Sequence, residues 1–303
     1  ILNEGITQQD RGVDILDVNV GLAGIDEKAM LKKVVEELQT VSDLPLQLDS
    51  SDPASLECAM RIYNGKPLIN SVNGKKESMD AVFPLVKKYG GVVIELTLDE
   101  KGIPDTAEGR VAIAERILAE AAKYGISKKE IIVDPLAMTV SADPNAANIT
   151  LRAIELLTAK GIKTSLGVSN VSFGLPSRET VNATFFALAL QKGLSATILN
   201  PNSVEMLKTY YAYLALTAQD DSCQEYIRFA TEELTKYATV STAAATISSA
   251  QETGENSPLK RAIIKGLKEE SGRACEELLT TLAPLEIVNG EIVPALDEVG
   301  KGY

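Results

Sequence analysis

Histidine is absent from the 303 residues, and cysteine occurs only at Cys58, Cys223 and Cys275, far apart and without CxxC spacing. A His-based triad, a His-bearing zinc site and a disulfide framework are thereby set aside, and polar chemistry falls to Asp, Glu, Asn, Lys, Tyr and Arg. Each cysteine reads as a small buried hydrophobe, Cys58 and Cys275 within helical patterns and Cys223 opening one. Basic charge is also short: 30 Lys plus Arg face 42 Asp plus Glu, a net charge of -12. That balance argues against a nucleic-acid surface, so any nucleotide-like ligand is small. No stretch approaches the ~18 to 20 apolar residues of a membrane span, and the leading ILNEGITQQD has neither a basic nor an apolar signal region. No membrane partner is expected, and the sequence reads as cytoplasmic. What remains, 45% apolar and 24% charged, is globular composition with length for one large core and a smaller unit.

Seven short aliphatic or β-branched runs recur, each followed by a helical pattern: Ile15–Asn19, Leu46–Asp49, Leu68–Asn70, Val92–Thr97, Ile131–Asp134, Thr164–Asn170 and Ala196–Asn200. Between them, residues 28–39, 107–124 and 148–160 place apolar side chains on one stripe, as helices covering a parallel sheet require. Gly90, Gly125, Gly161 and Gly193 each follow such a run, as helix C-caps do.

Most of the seven runs end in an acid or amide: Asp17 and Asn19, Asp49, Asn70, Asp134, Asn170 and Asn200. Polar ends on nearly every strand suit a (β/α)8 TIM barrel, whose loops converge there on one axial pocket. A doubly wound sheet would concentrate them at one switch point, and neither GxGxxG nor GxxxxGK[ST] is present. The count is one strand short of eight. Only a helical pattern, Leu2 to Gly12, precedes Ile15, so the expectation is a fragment of a longer polypeptide whose first strand is missing.

The expected domains are a barrel over 1–218, a hinge helix and linker over 219–258, and an incomplete all-α cap over 259–303. The hinge begins at the polar Gln219–Ser222, continues as a helix over 223–238 and becomes a small-polar linker over 240–256. Ser257 and Pro258 read as N-cap and first residue of a helix to Leu282, followed by a turn over 288–292 and a helix opening at Pro294.

A pocket ringed by Asp and Asn, without His or a metal-ligand cluster, suits a ligand with a fixed edge of donors and acceptors, and a pterin is one. Strand-end acids equally well cap loop amides, and spacing does not choose between the roles.

The runs ILDVN (15–19), LQLDSS (46–51), INS (69–71), LDEKG (98–102) with Asp105-Thr106, VDP (133–135) and above all GVSNVSFG (167–174) resemble the pterin-binding methyltransferase family, in order through about residue 217. Within it they are similar to the methyltetrahydrofolate domains that work in cobalamin-dependent methionine synthesis. Residues 259–268 and 285–303 resemble the start of the helical cap over cobalamin. The resemblance implies a methyltransferase that binds 5-methyltetrahydrofolate and presents its N5-methyl group to cob(I)alamin. It implies that Asp49, Asn70 and Asp134 hold the pterin, that Asn170 lies near N5, that Asp17 and Asn19 line the mouth, and that Arg178 sits near the rim, where a loop-pairing role is as plausible. Asn170 and Asp134 then carry the catalysis. Ser50, Ser71 and Ser169 read foremost as turn residues. Cobalamin is bound mainly by parts outside this chain, as is the zinc-bearing homocysteine domain, both partners in one longer polypeptide; no metal is held here.

Three other readings stand beside this one. A methyltransferase of the same family serving a separate corrinoid protein lacks a role for the fused cap. Dihydropteroate synthase would need a diphosphate site and a Lys in the 170–174 loop, where there is none. A non-catalytic folate- or corrinoid-binding scaffold would not need the full set of polar strand ends.

Overall fold

Five of the seven runs pair side by side as β1 (Leu16–Asn19), β2 (Leu46–Asp49), β3 (Leu68–Asn73), β4 (Val92–Leu96) and β5 (Ile131–Asp134), all parallel and in chain order. The structure is a computed structural model that describes residues 1–22, 24–234, 257–264, 267–280, 282, 287–292 and 294–295. It divides into two units, Ile1–Leu234 and Thr235–Tyr303.

Beyond β5 the ladder thins but keeps its direction. Val133 N–H donates to Lys163 O and Ser165 N–H to Val133 O, both at 2.9 Å, while Ala196 N–H reaches Thr164 O at 2.9 Å and Ile198 N–H reaches Leu166 O at 3.0 Å. These two segments are bridges, Thr164 with Val133 and Ile198 with Gly167, where full strands were expected. The sixth run stops at Gly167, which turns the chain into a 3-10 helix over Val168–Ser172, so Asn170 rides on that turn and not on a strand end. Seven parallel segments thus follow one another in the order of a (β/α)8 barrel. Between β1 and Ser195–Leu199 lies a cavity of about 610 Å³ lined by Asp17, Gln47, Ser165, Ile198 and Tyr210, the seam at which an eighth strand closes such a barrel.

Helices cover the outer face: α1 (Leu2–Asp10), α2 (Glu27–Leu38), α3 (Pro53–Ile62), α4 (Lys76–Tyr89), α5 (Ala107–Lys123), α6 (Ala146–Ala159), α7 (Arg178–Gln191) and α8 (Val204–Leu216). Local chemistry starts three of them where the preceding loop leaves the strand. Asp26 accepts from Ala29 N–H, Asp52 from Ala54 and Ser55 N–H with Pro53 at the first position, and Thr106 from Gly109 N–H. The expected glycines end helices with positive φ; at Gly193 (φ 96°) a Cβ would also lie 2.6 Å from Thr158 Cγ2, so only glycine fits.

The outward residues Leu16, Val18, Leu46, Leu48, Ile69, Val93, Ile131 and Val133 pack against Leu31, Val35, Leu56, Phe83 and Ile117 of the helices. A second core joins Leu166, Val168 and Val171 to Ile154, Phe185, Phe186 and Ala189, which seats the turn that carries Asn170. After α8, buried Asp220 caps α9 (Gln224–Arg228, continuing as a π-helix over Phe229–Glu233) through Glu225 and Tyr226 N–H. The Phe229 ring stacks on Tyr211 at 4.5 Å.

In the second unit the helix expected from Pro258 to Leu282 is two, α10 (Pro258–Ile264) and α11 (Lys268–Leu278). Leu267, at ψ 84°, leaves the helical region between them. Ser257 caps α10 as expected, accepting Lys260 N–H at 3.1 Å and bonding Glu291. Val288–Ile292, expected as a turn, is one π-helical turn. The linker expected over 240–256 lies outside the described residues, as does 296–303 of the helix expected from Pro294. None of the cysteines is fully buried, and Cys223 is exposed, because it stands at a left-handed corner (φ 56°) before α9 and not on its packed face. Among the described residues no helix is long and apolar enough to cross a membrane, and no group of side chains could hold a metal ion.

Phe186 is 1% exposed, so Phe186→Ala is expected to lower the unfolding free energy by about 3–5 kcal/mol in urea denaturation. A loss below ~1 kcal/mol would show that the second core does not support the fold.

Candidate functional site

Parallel register sets the site. Asn19 pairs with Asp49 and Asp49 with Asn70; Asn70 pairs with Ile94, and Leu96 with Asp134, so the strand-end polar residues stand in one arc at the carboxyl ends. Asn19 Nδ2 donates to Asp49 Oδ2 at 3.0 Å, which ties the first two strands together. Ser71 falls at a bulge in β3 just after Asn70. Asp134 accepts Leu136 N–H at 2.7 Å and also Gly167 N–H, linking β5 to the next segment. Asn170 folds back over Gly167, its Nδ2 only 3.2 Å from where a Cβ on that glycine would stand. The arc therefore runs from Asn19 through Asp49, Asn70 and Asp134 to Asn170.

Asp17 lies one layer deeper on the face that carries Asn19. Its carboxylate accepts from Gln47 Nε2 at 2.7 Å and borders the seam cavity, which does not reach Asp49, Asn70, Asp134 or Asn170. Arg178 pairs with the loop, one of the two roles expected of it. Its Nε donates to Ser172 Oγ and its Nη2 to Ser169 O, both at 2.9 Å, with the guanidinium 4.4 Å from the Phe173 ring centroid. It thus braces the turn that presents Asn170. Ser50 bonds Glu27 and accepts Asp52 N–H, as a turn residue does.

The acids of the arc hold protons unusually well. Burial pushes Asp134 up to about 6, against the lowering influence of the Leu136 and Gly167 amides and Arg110. Asp17 also rises to about 6, through partial enclosure and then the nearby charge of Asp49, with the Gln47 bond opposing. Burial raises Asp49 too, with Asn19 opposing and Glu27 adding. Carboxylates placed in this way are acceptors for a neutral ligand with adjacent N–H donors, and carboxyl groups that gain or lose a proton near neutrality.

Three polar residues in and around the barrel gave no functional signal in the sequence. Gln47 orients Asp17. Arg110, 2% exposed, lies on the apolar stripe of α5 between Ala107 and Val111, and a charge in that stripe was its one trace. Glu95 interrupts the apolar run of β4; its carboxyl oxygens are buried without a hydrogen-bond partner among the described residues, and burial holds its pKa well above the usual range.

Since an ionised Asp134 is buried at a cost, Asp134→Asn, which keeps an acceptor for Leu136 N–H, is expected to raise the unfolding free energy at pH 7.5 by up to about 3 kcal/mol. The folded pKa lies above the unfolded one, so this gain is full above pH 6 and fades as pH falls toward 3.8. Urea denaturation at pH 7.5 and pH 4 checks both halves.

Comparison with known proteins gives the family of the chain. Residues 1–200 match the pterin binding enzyme family, and residues 257–303 match the B12 binding domain. A methylcorrinoid:tetrahydrofolate methyltransferase of Eubacterium limosum is 31% identical over 231 residues, 75% of this chain and 85% of that protein. The methionine synthase of Mycobacterium tuberculosis is 27% identical over 310 aligned positions, 96% of this chain but 26% of that protein, so the chain spans about a quarter of it. Among solved structures, a Yersinia pestis dihydropteroate synthase superposes with a TM-score of 0.58 at 16% identity, covering 72% of this chain and 88% of that one. A Coxiella burnetii dihydropteroate synthase gives 0.55 at 17% identity, over 71% and 85%. These two share the fold, whereas the sequence matches reach further: the chain belongs to the family of pterin-binding enzymes, with folate-linked methyltransferases among its relatives.

Proposed function

We propose that the first unit binds a folate by its pterin ring and transfers a methyl group between N5 of tetrahydrofolate and a corrinoid, with 5-methyltetrahydrofolate as donor in the direction that serves methionine synthesis. The observation that carries this reading is the set of polar groups brought to the strand ends, Asn19, Asp49 and Asn70 side by side and Asp134 beyond β4, with the raised acids Asp49 and Asp134 suited to a donor-bearing ring. In it, Asp49, Asn70 and Asp134 hold the pyrimidine edge, Asn19 supports the first of these, Asp17 lines the mouth beneath Asn19, and Arg178 acts by bracing the Asn170 turn. The match of residues 257–303 to the B12 binding domain supports the domain plan of a barrel over 1–218, a hinge over 219–258 and the start of a cobalamin cap over 259–303. With no His in the chain, an imidazole ligand to the cobalt belongs to another segment of a longer polypeptide, as does a homocysteine site.

Breaking the bond from methyl to N5 leaves an electron pair on nitrogen, a poor leaving group unless protonated or strongly hydrogen bonded. The corrinoid, when bound, supplies the nucleophile. Asn170 donates a hydrogen bond to N5 as that pair builds, and Asp134, titrating near 6, supplies the proton through water. The 31% identity to the methylcorrinoid:tetrahydrofolate methyltransferase supports the opposite direction and a separate corrinoid protein as the second reading. Assaying the full polypeptide with methylated corrinoid and tetrahydrofolate, against 5-methyltetrahydrofolate and homocysteine, separates the two.

Calorimetric titration with 5-methyltetrahydrofolate is expected to show binding that Asp49→Asn weakens about ten- to a hundred-fold, the loss of a charge-assisted bond. Asn170→Ala is expected to slow methyl transfer by ~10²-fold with folate affinity changed far less. Absence of binding to the folded wild-type chain overturns the folate reading; undiminished transfer in Asn170→Ala overturns the role of Asn170.

A further inference from the structure

The guanidinium of Arg110 is buried and spends its hydrogen bonds on loop backbone. Its Nε donates to Pro104 O at 3.1 Å, and its Nη1 donates to Pro135 O at 2.8 Å, Leu136 O at 2.6 Å and Thr150 Oγ1 at 3.1 Å. Thr150 Oγ1 in turn reaches Leu136 O at 2.9 Å. One side chain on α5 thus fastens the loop after β4 and the loop after β5 to each other, and both loops leave the strands at the mouth.

The peptide it grips is unusual. Leu136 sits at φ 65°, a left-handed conformation that a side-chain-bearing residue keeps only when its surroundings impose it. In that conformation its N–H donates to Asp134 Oδ1 at 2.7 Å. Gripping Leu136 O from one side therefore sets the donor that orients the Asp134 carboxylate on the other. Arg110 also brings positive charge toward Asp134, as it does toward Asp105 and Asp143, while burial works against its own charge.

We propose that Arg110 is the positioning residue of this site, holding Leu136 in its left-handed turn so that Asp134 presents its carboxyl group to the ring of the ligand. Arg110 touches no ligand itself and acts wholly through Asp134. The requirement for buried Arg in particular follows from its planar fork: a lysine carries the charge but not the several fixed donors that reach Pro104 O, Pro135 O and Leu136 O together. The proposal rests on the folate reading for its consequence in binding, but its first step, from Arg110 to Asp134, stands without any ligand.

The test separates those two parts. In the ligand-free full chain, the Asp134 carboxyl is followed by NMR with carbon-13-labelled aspartate, assigned by its loss in Asp134→Asn. Arg110→Gln is expected to move the Asp134 midpoint upward and Arg110→Lys to restore it in part at most. Thr150→Val, which removes one of the supports of Leu136 O, is expected to shift it the same way by less, and it decides the matter if Arg110→Gln does not fold. An unchanged Asp134 titration in a folded variant overturns the proposal whatever the folate result. For binding, Arg110→Gln is expected to weaken 5-methyltetrahydrofolate about ten- to a hundred-fold by calorimetry at pH 7.5, and Arg110→Gln combined with Asp134→Asn to be no weaker than Asp134→Asn alone. Additive losses in the double variant would mean that Arg110 acts by another route. No folate binding by the wild type, together with the expected NMR shift, would remove the folate reading and leave the positioning role standing.

Discussion

Parallel pairing in chain order is the constraint on which this protein depends. Each strand is laid beside the one before it, so its last inward side chain falls next to the last inward side chain of its neighbour. Asn19, Asp49 and Asn70 are separated by whole helices in sequence and become adjacent by register alone. Shifting any strand by one residue would exchange these groups with Leu48 or Ile69, which are completely buried on the helix side. The same alternation that builds the apolar core thereby fixes the composition of the pocket.

That coupling explains which parts were legible in the sequence. β2 and β5 begin and end where their apolar runs and terminal acids predict, because each is short, aliphatic and bounded by turn residues. The sixth run is broken at Gly167, where the chain turns into the 3-10 helix, and it and the seventh run form single bridges with little ladder to extend. Asn170 was identified as a candidate, but the 3-10 turn that carries it depends on the second core beneath, which has no local signature. The position of Arg178 after the Phe173 turn suggests the rim or a loop pairing, and only the structure identifies Ser169 O and Ser172 Oγ as its partners. Arg110 and Glu95 escaped for the opposite reason. A polar residue within an apolar stripe reads as a solvated edge until burial is known.

The site and the stability of the fold pull in different directions. Asp134 and, less so, Asp49 sit where their charge is poorly solvated, and neighbouring N–H donors offset this only in part. Glu95 meets the same difficulty without such donors: nothing among the described residues bonds it, and burial raises its pKa well above the usual range. Under the proposed function the strand-end acids differ in that the ring of the ligand supplies the donors they lack.

The helix starts around the mouth divide it electrically. On the side of β1, β2 and β4, the first-turn amides of α2, α3 and α5 are already engaged by Asp26, Asp52 and Thr106. On the other side, α6, α7 and α8 begin without a side-chain cap, and α7 and α8 carry Glu179 and Glu205 in their first turns instead. The two flanks of the opening thus answer their helix starts by different means, fixed side-chain hydrogen bonds on one and nearby acidic charge on the other.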